Sequence, residues 1–268
     1  MNKNRLNMKE IAMMLQEGTK KVFESESYQA YLKTASKFHR YSYRNAMLIW
    51  MQDPSATLVA GYRKWQELGR QVRKGEKAIR ILAPMKRLNK DAEDDTQVPY
   101  FRAISVFDIS QTEGDDLPSF EIEKLQDPVI SFEELLKVLS LISPVSLVFD
   151  QVKGEANGFY SVLEKKIVIQ KNMSETQTVK TAVHEIAHAM LHADGCSMNS
   201  AVREVEAESV AYSVCCYFGI DTSSYSFAYI ASYSHDKSLP ELNDSLQRIS
   251  ETSQNLIDRI ETVWHPQC

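Results

Sequence analysis

Residues 183–192 read VHEIAHAMLH and place His184, Glu185, His188 and His192 within nine positions of a chain that has only six histidines. Side chains four apart on a helix project from the same side, so His184 and His188 can offer two imidazole nitrogens to one metal ion. A hydrolytic zinc needs a third protein ligand and an open position for water, whose pKa the metal lowers toward neutrality. Glu185 lies about 100° round the helix from His184, where its carboxylate can flank the ion and take a proton from that water. It is the catalytic candidate, and H-E-x-x-H therefore carries a mechanism as well as a spacing. Val183, Ile186, Ala187 and Met190 recur at i, i+3, i+4 and i+7, an apolar stripe that predicts a helix held by its other face.

The third ligand has to come from nearby in space. REVEAESVAY (203–212) offers Glu204, Glu206 and Glu208 on the next predicted helix. Glu204 and Glu208 share a face, and Glu206, about 200° away, is expected in solvent. Glu204 is taken as the ligand and Glu208 as the carboxylate that orients a ligand histidine; the order could be reversed. His192 is expected to be exposed or to partner Asp194. Among Tyr225, Tyr229 and Tyr233, the last two are the candidates for a hydroxyl that stabilises an oxyanion. One Zn2+ ion is the expected cofactor.

Around this motif the sequence predicts an α+β chain. SFEELLKVLSLIS reads as a helix, SLVFD as a strand, and FYSVL and IVIQ joined by EKK as a hairpin. Ser174 and Gln177 form an S-x-x-Q capping box that opens the motif helix, expected to run to about Asp194-Gly195. A second helix, near 200–218, ends at Gly219, and a closing helix carries Leu242, Leu246, Ile249, Leu256 and Ile260. The first 50 residues read as helices, and AIRILAPM (78–85) and YFRAISVFDI (100–109) as strands. Residues 110–130 are acidic and carry two prolines. The expected division is a basic mixed α/β domain over 1–115, an acidic linker over 116–130 and a metal-binding domain over 131–268.

Composition supports two halves with different partners. Of 268 residues 43% are hydrophobic and 25% charged, and no run approaches the ~18 apolar residues that span a bilayer. With no secretory signal pattern either, the expected location is the cytoplasm, away from membranes. Four cysteines make no CxxC pair and are expected to be reduced thiols. The net charge of −5 hides a division: residues 1–86 hold 17 Lys+Arg against 7 Asp+Glu. GYRKWQELGRQVRKGEKAIR (61–80) contributes Arg63, Lys64, Arg70, Arg73, Lys74 and Lys77, with Trp65 interleaved, and Arg40, Tyr41, Tyr43 and Arg44 lie upstream. Cations attract phosphates and exposed aromatics stack on any base, a combination suited to single-stranded DNA bound without sequence preference. Gly69 and Gly75 do not form a P-loop, so nucleotide hydrolysis is not indicated.

The second half, through GFYS…KIVIQ, HEIAHAMLH and EVEAESVAY, resembles the ImmA/IrrE-like zinc metallopeptidase domain, a zincin-like fold in which a Glu on the following helix completes the metal site. FHRYSYRNAMLIWMQ, ATLVAGYRKWQELGRQVRKGEKAIRILAP and VFDISQTEG, spread over about 36–114, resemble the N-terminal single-stranded-DNA-binding domain of ArdC-type antirestriction proteins. The two resemblances in this order imply a mobile-element protein, carried by conjugation, that binds single-stranded DNA and shields it from restriction. The alternative is a regulatory zinc protease that cleaves a repressor or a restriction-related protein. Residues 88–97 match neither pattern.

Overall fold

The computed structural model describes residues 8–88, 97–117, 131–193, 199–225, 227 and 229–264. Most of the acidic linker, the polar stretch at 89–96, Asp194, Cys196 and Cys268 lie outside the described residues. The fold is mixed α+β. Helices α1 (Met8–Val22), α2 (Ser25–Lys37) and α3 (Tyr43–Gln52) come first. Strand β1 (Val59–Ala60), helix α4 (Tyr62–Glu67), and strands β2 (Arg70–Val72), β3 (Ile79–Leu88), β4 (Gln97–Asp108) and β5 (Thr112–Gly114) follow. The second half runs α5 (Phe132–Ile142), β6 (Ser146–Asp150), β7 (Gly158–Ser161), β8 (Lys166–Gln170), α6 (Glu175–Leu191), α7 (Ser200–Tyr217), α8 (Ile230–Ser234) and α9 (Leu239–Trp264).

In the first half β3 and β4 form a long antiparallel ribbon in which Ile79 faces Val106 and Ile81 faces Ile104; β1 adds to the far edge of β4. Helix α3 is fixed to this ribbon by two side-chain amides that behave as an extra strand. Asn45 donates Nδ2–H to the Leu82 carbonyl and accepts the Leu82 N–H, both at 2.8 Å, and Gln52 makes the same pair with Arg80 at 2.9 Å. A buried strand edge would otherwise leave those backbone groups unpaired, at about 1–3 kcal/mol each. This gives Asn45 a structural role that its sequence position did not reveal.

In the second half β8 is central, parallel to β6 and antiparallel to β7. The expected hairpin is present, with β7 as its free edge. Ser174 caps α6 by accepting the Gln177 N–H, but the Gln177 side chain bonds Thr181 at 3.3 Å instead of closing a box. The helix stops at Leu191, short of the expected Asp194-Gly195. Helix α7 ends as expected: Gly219 has φ +67°, its N–H reaches the Cys216 carbonyl and that of Ile220 the Cys215 carbonyl. This double bond pattern needs the left-handed residue that glycine supplies without penalty.

The apolar core does not divide where the composition does. One cluster unites Val22, Tyr28, Leu32, Met47 and Trp50 of α1–α3 with Leu139, Ile186, Val210, Leu246 and Ile257 of α5, α6, α7 and α9. Tyr28 and Ser209 share a buried hydrogen bond at 2.7 Å between α2 and α7. The leading helices are amphipathic and bury their apolar faces on the second half. The ribbon keeps a smaller core of its own, including Phe38, Ile49, Val59, Ile81 and Val106. No helix among the described residues is long and apolar enough to cross a membrane.

Candidate metal centre and basic cleft

The apolar stripe of α6 fixes the motif as its periodicity predicts. Val183, Ile186 and Ala187 are at most 1% exposed, so the helix cannot rotate and His184 and His188 are presented toward α7. Their Nε2 atoms lie 3.0 Å apart. Glu204 of α7 places Oε2 3.5 Å from His184 Nε2 and Oε1 3.4 Å from His188 Nε2. One ligand atom from each of the three falls within 4.8 Å of the others, the spread a single ion can gather. Glu208, one turn further along α7, lies 3.2 Å from His184 Nδ1, at ion-pair distance but short of hydrogen-bond alignment.

The electrostatics favour a cation here. Burial opposes charge on His184, yet the contacts to Glu204 and Glu208 outweigh it and raise its pKa to about 9. The two imidazoles hold the Glu204 carboxyl well below the usual range. Glu185 is 7% exposed, and burial pushes its carboxyl up against the opposing pull of the histidines. A carboxylate raised toward neutrality is suited to accept and return a proton. Glu185 and His184 line a cavity of about 400 Å³ together with Glu208, Lys180, Gly158 and Tyr225.

The tyrosines divide. Tyr229 is 43% exposed, and burial with the charges of Glu208 and Glu204 pushes its phenol up to about 12. Tyr233 is turned away: its hydroxyl donates to Ser245 of α9 at 3.2 Å. Tyr225 sits in the cavity wall with its ring 4.6 Å from the Lys180 ammonium.

Two expectations are overturned. Glu206, expected in solvent, is fully buried and paired with Arg248 of α9, whose Nη2 donates at 2.6 Å. His192, expected to be exposed or to face Asp194, is 3% exposed with Nε2 3.3 Å from Glu206. The helical wheel was right about direction, but α9 covers that direction, and it lies 42 residues further along the chain. The burial of Glu206 works against its charge, and the contacts to His192 and Arg248 prevail to lower its pKa. Cys215 is buried, with its thiol pushed up to about 12, and Cys216 is half-buried.

The basic residues of the first half gather less completely. A cleft of about 920 Å³ opens between the ribbon, α3 and α9, lined by Arg40, Tyr41, Arg44, Lys64 and Phe101 and floored by apolar strand residues. Arg44 is exposed above the Tyr43 ring, 5.5 Å from its centroid, and Phe101 is 57% exposed. Arg40 bonds Glu261 at 2.9 Å and Lys64 lies 3.7 Å from Glu67. Arg63, Lys74 and Lys77 are exposed and do not line the cleft. Arg70 and Arg73 brace the β2–β5 pair through Thr112 and nearby carbonyls, which ties them to the fold.

Trp65 is not a stacking surface. It is fully buried and donates Nε1–H to the Phe107 carbonyl at 2.9 Å; Tyr43 is also buried, and Tyr41 half-buried. Trp65→Ala is expected to lower stability by about 3–5 kcal/mol, read as a fall in thermal midpoint; an unchanged midpoint would remove the ring from the core. Phe101 was missed because, in an alternating strand, nothing local separates an exposed aromatic from a buried one.

An α+β fold that sets two helical imidazoles and a carboxylate of the next helix around one point is the class defined by these observations. Residues 5–107 match the family model described as the N-terminal domain of anti-restriction factor ArdC. Over that stretch the chain is similar to the ArdC N-terminal domain. Two solved structures of the antirestriction ArdC protein from plasmid R388 share the fold. The metal-free one is 19% identical, with a TM-score of 0.55 over 82% of this chain and 83% of that one. The Mn(II)-bound one is 20% identical, with a TM-score of 0.58 over 92% and 97%. An uncharacterized protein of Bacillus anthracis is 27% identical over 276 residues, covering 84% of this chain and 46% of that protein. The chain thus spans about half the length of that curated relative.

Proposed function

We propose that this chain is an antirestriction protein that binds single-stranded DNA without sequence preference through its first half, 1–115, and carries a zinc-dependent, zincin-like hydrolase centre in its second, 131–268, acting in the cytoplasm. The observation that carries the second part is the convergence of His184, His188 and Glu204 within one coordination sphere beside a buried Glu185. Two imidazoles and one carboxylate are a donor set for a divalent ion that keeps a position open. The Mn(II)-bound structure of the R388 protein supports a divalent ion at a site of this fold. A bound ion would supply Lewis acidity, polarising a water and a substrate carbonyl. With an ion held by His184, His188 and Glu204, Glu185 would be the group that accepts and returns a proton, Glu208 the carboxylate that orients His184, and Tyr229 the exposed hydroxyl for an oxyanion.

For DNA, the cleft supports the reading through its cationic rim of Arg40, Arg44 and Lys64 and its accessible aromatics, Phe101 and Tyr41. Phosphates meet the rim and bases the apolar floor, which discriminates poorly among sequences. Arg44→Glu with Lys64→Glu is expected to weaken binding of a labelled oligonucleotide at least tenfold and to flatten its salt dependence by roughly two charges. Unchanged binding and salt slope would move the DNA elsewhere.

The buried, base-like Glu185 also favours a second reading. A purely structural ion would be closed by four protein ligands and would need no such group. In that reading the chain is a regulatory protease in the manner of ImmA/IrrE, cleaving a repressor or restriction-related protein. Abundance of candidate repressors in cells with the native chain or Glu185→Gln separates the two.

A further inference from the structure

His188 Nδ1, the nitrogen turned away from Glu204, lies 3.3 Å from Nδ1 of His192. His192 Nε2 in turn lies 3.3 Å from Oε2 of Glu206. Glu206 Oε1 accepts from Arg248 Nη2 at 2.6 Å and Nε at 3.1 Å, and Oε2 from Nε at 3.2 Å. His192 and Glu206 are 3% and 0% exposed, so bulk water does not reach these two members.

We propose that His192 and Glu206 are positioning residues for the metal centre: they fix His188 in the tautomer whose Nε2 is free to bind an ion, with Arg248 of the closing helix as the anchor. The inference rests on the metal-centre reading above. Two Nδ1 atoms facing each other can share one proton only. With Nε2 of His188 on a metal, that proton sits on His188 Nδ1 and is donated to His192. The proton of His192 is then on Nε2, where it donates to Glu206.

The opposite assignment fails on both sides. It would put the proton of His188 on Nε2, pointing at the cluster, and would set the bare Nε2 lone pair of His192 against the buried Glu206 carboxylate. Two buried acceptors at 3.3 Å repel, and His192 Nε2 would lack a donor. The bidentate guanidinium keeps Glu206 an acceptor, so the tautomer of a metal ligand on α6 is set from α9. Glu208, 3.2 Å from Nδ1 of the other ligand candidate His184, stands in the corresponding place without an intervening histidine.

The test uses the full chain loaded with zinc. Imidazole nitrogen spectra should show His188 protonated at Nδ1 and His192 at Nε2. His192→Phe, which keeps the ring volume but removes both nitrogens, should lower zinc affinity by about 10–100-fold in competition with a chelator, and should shift the visible spectrum of the cobalt-substituted protein. His192→Gln, whose amide can accept from His188 and donate to Glu206, should recover most of that loss; a merely structural role would not follow this pattern of rescue. Native affinity and an unshifted cobalt spectrum in His192→Phe, or a His188 proton on Nε2, would overturn the proposal while leaving the metal centre standing. A native chain that binds no zinc would overturn the metal centre, and this inference with it. Should His192→Phe not fold, the nitrogen spectra of the native chain and the affinity of His192→Gln decide.

Discussion

Glu185→Gln is expected to retain one divalent ion per chain and to lower hydrolysis by about 10²–10⁴-fold, the usual worth of a positioned general base. The amide is nearly isosteric with the carboxylate, so the 7% exposed site keeps its packing. What it loses is the ability to accept a proton. His184 and His188, the proposed ligands, are untouched, so metal content and turnover should separate in this variant. In His184→Ala with His188→Ala the two should fall together. Metal analysis beside turnover of any cleaved protein is the measurement. Turnover at the native rate in Glu185→Gln would remove that residue from the chemistry.

Arg248→Ala is expected to cost about 3–5 kcal/mol of stability, because it leaves the fully buried Glu206 carboxylate without its guanidinium. For a chain of this size that corresponds to a fall in thermal midpoint of roughly 10 °C. The loss arises from an uncompensated charge, so Glu206→Gln placed on the Arg248→Ala background should recover part of it. A double variant as unstable as the single one would show that Arg248 acts through its packing, not its charge. Because Arg248 is 36% exposed, its own removal leaves no large cavity to confuse the comparison.

Local order explains what could be read early. The three apolar neighbours of the motif fixed which side of α6 is buried, so His184, His188 and Glu185 were placed before any tertiary contact was known. The same periodicity placed α9, and the Gly219 cap closed α7 where expected. Glu204 and Glu208 share a helix face in any α-helix, and only the distances that α6 sets tell them apart: Glu204 lies near both imidazoles and Glu208 near one.

Charged and aromatic residues were harder, because their roles depend on what covers them. Seven cations in a row of twenty residues are alike in composition, yet Arg70 and Arg73 brace a strand pair, Lys64 lines a cleft and Lys74 stands in solvent. Trp65 and Phe101 are both aromatics amid basic residues, and only the fold separates the one that donates to a buried carbonyl from the one left open.

The sequence by itself determined the longer elements, the spacing that brings two imidazoles to one side, and the division of charge between the halves, because each is set by neighbours within a turn or two of the chain. Tertiary structure alone decided that α1–α3 share their core with α6, α7 and α9, and that Glu206 is a buried anchor and not a solvated charge. The reason is physical: burial is the sum of contacts from elements far apart in the chain, and a carboxylate is stable inside only where a distant guanidinium arrives to meet it.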